Sequence, residues 1–157
     1  MFDAYALFEY LLKYAYSRKR IPYGKIHQDF DVNVDNSETR MIFYNTLELA
    51  ERRIVDEVLH QEIVPIYTGI LYRKKDSLPS IGFYDVFKNR NRESWTQIAG
   101  DKSLQDVFDD QKLKKEIFDV SMQALINDLD HRFSEQFQID AFVAEVKIYR
   151  DINGYPL

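Results

Sequence analysis

Residues 62–87 read EIVPIYTGILYRKKDSLPSIGFYDVF, and the fold depends on what this stretch becomes. Residues 63–72 are rich in β-branched and aromatic side chains, with Pro65 and Gly69 among them, the composition of an edge or bulged strand. Residues 74–79 are polar and turn-forming, and 81–87 are apolar enough to return as a second strand. The stretch therefore predicts a β-ribbon with a charged tip.

Upstream, Tyr5, Phe8, Leu12 and Ala15 recur at helical spacing, widened by Leu7, Leu11 and Tyr14, and predict a helix over residues 2–17. Arg18, Lys19 and Arg20 lie at its C-terminus, where the helix dipole favours cations, and Pro22 stops its continuation. A second helix over 23–30 is too short to stand without packing. Residues 31–36 are turn-rich, and Asp35 with Glu38 three residues later predicts the capped start of a third helix. Phe43, Leu47 and Ala50 share one face of it and should be buried, with Glu48 and Arg52 exposed.

Downstream, 88–102 is polar around the single Trp95 and reads as a connecting loop. Ser103 with Asp106 predicts another helix start. Phe118, Met122, Leu125, Leu129 and Phe133 mark a long helix, and the tail from Ala141 alternates weakly, as a strand or a docked arm would. The order helix, short helix, turn, helix, ribbon is that of a winged helix-turn-helix. The expected fold is thus α+β, a single domain over 1–157. Residues 1–90 would form the winged-helix-like part, and 103–157 a C-terminal helical extension and tail.

The bulk composition bounds the chemistry. Of 157 residues, 45% are hydrophobic and 15% aromatic, which is enough for a packed core. The absence of cysteine excludes disulfides, thiolate metal sites and cysteine nucleophiles, and points to a cytoplasmic setting. Asp3, Glu9 and Lys13 interrupt the apolar start, so neither a signal peptide nor a membrane span is expected. Net charge is −5, against indiscriminate nucleic-acid binding. Its distribution is uneven: residues 1–100 carry 14 cations and 14 anions, whereas 101–157 carry 7 and 12. The front of the chain can therefore still present a basic face.

Ile21-Pro22-Tyr23-Gly24-Lys25-Ile26, then Arg40, then Val64-Pro65-Ile66-Tyr67 and Leu78-Pro79-Ser80-Ile81-Gly82-Phe83 resemble the DNA-binding half of the alkylguanine-DNA alkyltransferases. The resemblance implies a helix-turn-helix whose second helix opens with an arginine. The family's nucleophilic cysteine and the histidine after it are missing, so alkyl transfer is excluded. The segment DSLPSIGFYDVF and the helix after Ser103 are also similar to small uncharacterised bacterial proteins found beside restriction and other defence genes. That similarity implies an interaction domain without known catalysis.

Arg40 is the foremost candidate contact: a recognition helix enters DNA by its first turn, and arginine pairs bidentately with guanine or phosphate. Tyr23 and Lys25 flank the preceding turn, and Arg73, Lys74 and Lys75 occupy the ribbon tip, where a wing touches phosphates. His27, His60 and His131 have no metal-ligand spacing. Glu145 and Lys147, with acidic residues upstream, have the order of a nuclease carboxylate–lysine set but lack the central sheet such chemistry needs. No catalytic residue, metal or cofactor is expected. The expected function is a non-enzymatic winged-helix module that binds nucleic acid such as duplex DNA, in a bacterial defence or mobile-element system. The alternative is a protein-binding module, as a defence-complex subunit or a phage-encoded inhibitor, favoured by the acidic last third and the 11 tyrosines.

Overall fold

In the computed structural model, which describes residues 2–55 and 62–153, the N-terminal stripe forms helix α1 (Ala4–Tyr16). The Asp3 carboxylate caps it, accepting from the backbone N–H of Tyr5 at 2.9 Å. Strand β1 (Ile21–Pro22) leads directly into helix α2 (Tyr23–Asp29). Helix α3 (Ser37–Val55) follows. Its cap is Asn36, whose Oδ1 accepts from Thr39 N at 3.0 Å, not the expected Asp35 with Glu38. The phase of α3 is as expected: Phe43, Leu47 and Ala50 are buried, and Glu48 and Arg52 are exposed.

The ribbon does not form, and the winged-helix expectation fails with it. Tyr67–Ile70 is a 3-10 turn, and only Leu71–Tyr72, strand β2, is extended and paired. It pairs in parallel with β1, Ile21 beside Leu71 and Pro22 beside Tyr72. The second limb is helix α4 (Ile81–Arg90). Phe83, Tyr84 and Phe87 are all buried. A strand would turn Tyr84 to the face opposite Phe83 and Phe87, whereas a helix gathers all three on one side. The backbone of Val64 finds its partners in a single side chain. Asn91 Oδ1 accepts from Val64 N at 2.7 Å, and Asn91 Nδ2 donates to Val64 O at 3.1 Å. The amide thus supplies the donor and acceptor that a neighbouring strand would have offered.

The polar stretch expected as a loop contains helix α5 (Arg92–Ala99), with Trp95 buried on its inner face. Ser103 caps helix α6 (Leu104–Phe108) as expected, its Oγ accepting from Asp106 N at 3.1 Å. The long helix is α7 (Gln111–Arg132). The tail is helix α8 (Gln136–Asn153), neither strand nor arm: Ile139, Val143 and Val146 are buried at spacings of four and three. No described helix is long and apolar enough to cross a membrane.

Two apolar clusters result. One joins α1, α3, α8 and the C-terminal half of α7 around Phe8, Leu11, Phe43 and Leu125; the other joins α4, α5 and α6 to the front of α7 around Phe83, Phe87, Trp95 and Ile117. The segment after Val64 runs between them, giving Ile66 to the second and Tyr67, Ile70 and Leu71 to the first. Gly69 permits this close passage, since a Cβ there would lie 3.0 Å from the Phe83 ring. The Tyr67 hydroxyl donates to Asp128 at 2.5 Å, and Asp128 also accepts from Arg132 Nε at 3.0 Å. Together these contacts lock the segment to α7.

Replacing Asn91 with Ala strands both Val64 backbone groups and should cost about 2 kcal/mol in urea denaturation. The exposed neighbour Asn89→Ala should change stability by a few tenths of a kcal/mol at most.

Candidate functional site

The parallel pairing brings two helix starts to one edge of the small sheet, because β1 feeds α2 and β2 feeds the turn that opens α4. Tyr23 joins them. Its hydroxyl accepts from Ser80 N at 3.1 Å and from Ser80 Oγ at 2.8 Å. Two sites lie on either side of this joint.

On one side is a cleft of about 170 Å³ between α3 and the start of α4, walled by Tyr23, Tyr44 and Phe83 and bordered by Glu48, Glu51 and Gly82. Both tyrosine rings are anchored through their hydroxyls, Tyr23 by Ser80 and Tyr44 by His27 Nε2 at 2.6 Å. Burial pushes the Tyr44 hydroxyl up to about 12, so it stays protonated near neutrality. Burial likewise lowers the His27 imidazole, keeping it neutral. Glu51 is buried and accepts from Arg90 Nη1 at 2.8 Å. Burial raises its carboxyl despite that partner. Glu48, at the rim, is exposed and lies 3.5 Å from Arg52, a contact of little energetic weight.

On the other side, cations far apart in sequence converge. Arg20 lies between two rings, its Cζ 4.7 Å from the centroid of Tyr72 and 4.5 Å from that of Phe118. Its Nη1 donates to Ser77 O at 2.6 Å. Among the described residues no acceptor reaches its buried Nε and Nη2, nor the buried Nε of Arg73. Desolvation lowers the Arg20 pKa, although a guanidinium stays charged. Arg73 and Lys114 both pair with Asp76, at 2.5 and 3.1 Å, and both sit over Phe108 at 4.8 and 4.4 Å. Two cations therefore share one carboxylate in a partly dehydrated setting, and a third, Arg20, is held on the same turn. Lys74 and Lys75, in the same turn, are exposed and make no ion pair among the described residues.

The six sequence candidates thus part company. Arg73, Lys74 and Lys75 do gather, together with Arg20, but on a turn pinned to α7 instead of the tip of a projecting wing. Tyr23 stands between the two sites. Lys25 is tied to Asp29 at 2.9 Å, and Asp29 is also held by the Tyr10 hydroxyl at 2.6 Å. Arg40 is exposed in the first turn of α3, but its Nη1 folds back onto Val34 O at 2.8 Å. Of the three cations after α1, only Arg20 joins the cluster; Arg18 pairs with Asp130 across the molecule. Sequence reasoning missed Lys114 and Asp76 as partners, and Ser80 and Gly82 at the cleft. One trace was present, since a lysine at position 114 falls on the buried side of the apolar stripe of α7. Among the described residues no His, Asp and Glu group forms a metal-binding set, and Glu145 and Lys147 are exposed on α8.

Compared with protein-family models, with curated proteins and with solved structures, the chain gives no match.

The Asp76 pairing generates a test. Against the cost of burial, hydrogen bonds from Arg73 and Lys114 hold the Asp76 carboxyl well below its ordinary value of 3.8. A depressed carboxyl contributes stability above its unfolded-state value and loses it as pH falls through the folded-state value. With Lys114 only 4% exposed, Asp76→Asn should cost about 3 kcal/mol at neutral pH. The gap between variant and wild type should begin to close as pH drops below 3.8. Denaturation curves across that range check both the size and the sign.

Proposed function

We propose that the chain is a nucleic-acid-binding module without catalytic chemistry of its own, and that it contacts the phosphate backbone with the 73–77 turn. The observation that carries this reading is the gathering of three cations at the 73–77 turn, where Arg73 and Lys114 share the single carboxylate Asp76 and Arg20 donates to Ser77 O, beside the exposed Lys74 and Lys75. Charges set among aromatic rings are weakly screened, so their surplus field extends outward and draws polyanions to the turn. Lys74 and Lys75 then make the contacts, while the partly dehydrated cluster behind them supplies potential. The similarity of the DSLPSIGFYDVF segment and the helix after Ser103 to defence-associated proteins supports a bacterial defence or mobile-element setting. A protein partner is the second reading, favoured by the exposed Met41 and Phe137 side chains.

Anisotropy titrations with labelled single- and double-stranded oligonucleotides at two salt concentrations test the proposal. Affinity should fall steeply with salt, and reversing Lys74 and Lys75 to Glu should weaken binding to every sequence alike. Each lysine lost from the contact should reduce the salt slope by about 1. Salt-insensitive binding, or none, removes the nucleic-acid reading and leaves the protein partner.

A further inference from the structure

The geometry points to the cleft between Tyr23, Tyr44 and Phe83 as a pocket for one unpaired, amino-bearing base of the bound strand, with cytosine the best fit. This inference rests on the phosphate-binding reading of the neighbouring turn. The two sites share a backbone: Leu71 lines the cleft while the next residue, Tyr72, stacks on Arg20, and Tyr23 lines the cleft three residues after Arg20. The turn and the cleft therefore adjoin, with Tyr23 and the Leu71–Tyr72 strand between them, and a strand held by its phosphates at the turn can offer a base to the cleft.

The cleft itself suits a base. Its volume of about 170 Å³ is on the scale of the cavities of about 150 Å³ that hold a benzene-sized ring. Its walls are aromatic, and the Tyr23 and Tyr44 rings are held in place by their hydroxyl partners before any ligand arrives. Sequence-tolerant base binding relies on such stacking surfaces. At the rim, the Glu48 carboxylate is exposed and only loosely paired, an acceptor suited to the exocyclic N4 amine of cytosine. Glu51 is committed to Arg90 and stays part of the wall.

Gly82 supplies the independent observation. It lies in the first turn of α4 at the border of the cleft, and a Cβ built on it meets nothing within 4 Å. Its φ is not positive, so neither backbone conformation nor crowding calls for glycine there. Glycine is a poor helix former, and what it does provide is an open mouth.

The test compares labelled oligo(dC) and oligo(dU) of equal length at low salt and neutral pH. The two pyrimidines have nearly the same shape and differ along one edge, where cytosine has the N4 amine and an N3 acceptor and uracil has the O4 acceptor and an N3–H. Oligo(dC) should bind the wild-type protein about tenfold more tightly. Gly82→Trp, which blocks the mouth, and Glu48→Ala, which removes the acceptor, should each bring the two affinities together while leaving the salt dependence in place. Circular dichroism melting of both variants verifies the fold, and Glu48→Ala, at an exposed position, stands as the second variant if Gly82→Trp does not fold. Equal, salt-dependent binding of the two oligomers to wild type overturns the base pocket and leaves the phosphate reading standing. Failure of both oligomers to bind overturns the phosphate reading and the pocket with it. Discrimination that survives Glu48→Ala also overturns the pocket assignment. Cytidine monophosphate binding as tightly as the oligomer overturns the strand as source, making the occupant a free nucleotide.

Discussion

The segment from Val64 to Tyr72 crosses the middle of the molecule with almost no strand partner, and the rest of the structure depends on how its polar groups are met. A buried backbone group without a partner costs free energy comparable to a lost hydrogen bond. Here the Asn91 amide takes both backbone groups of Val64, and Asp128 takes the Tyr67 hydroxyl. Those anchors come from the turn between α4 and α5 and from the middle of α7. Fixing the segment therefore fixes the positions of three helices at once. The two apolar clusters lie on its two sides, so one crossing stretch decides that this chain has a helical architecture with a remnant of sheet.

The same crossing creates the candidate surface. After Tyr72 the chain must turn back to begin α4, and the turn is pinned by Asp76 to Arg73 and Lys114. The pinning sets Arg73 of the turn and Lys114 of α7 around one carboxylate, and Arg20, just before β1, donates to Ser77 O of the same turn. It also sets Ser80 against Tyr23, so the two helix starts are joined and the aromatic cleft opens beside them. A charged cluster and an aromatic cleft separated by a single tyrosine follow directly from one short parallel pairing.

Much of the helical part was legible in the residues. The stripes of α1, α3 and α7 are long and strongly periodic, and a face buried at spacings of three and four survives any arrangement of neighbours. The Ser103 cap was readable for a related reason, because it works within one turn of chain. The errors fall where local preference was ambiguous. Ile81, Phe83 and Phe87 fit either a strand or a helix, and only the burial of Tyr84 against Phe83 and Phe108 separates the two. Trp95 looked like a loop residue because its polar neighbours hide a helix that buries a single face.

The candidate site divides in the same way. The sequence by itself determined the helical stripes of α1, α3 and α7, the absence of thiol chemistry, and that cations cluster before Pro22 and around Lys74, because composition and short-range periodicity are properties of the chain alone. Only the tertiary structure decided which cations meet: Arg73 and Lys114 share Asp76 while Arg20 reaches Ser77 on the same turn, Arg18 goes to Asp130, and Arg40 folds back on its own loop. It alone decided that residues 63–87 make a turn and a helix where a ribbon was expected. The physical reason is range. Caps and helical stripes are settled within a few residues, whereas a backbone group or a charge takes whatever partner the packing brings, here Asn91 for Val64 and Asp76 for Lys114 across 27 and 38 positions of chain.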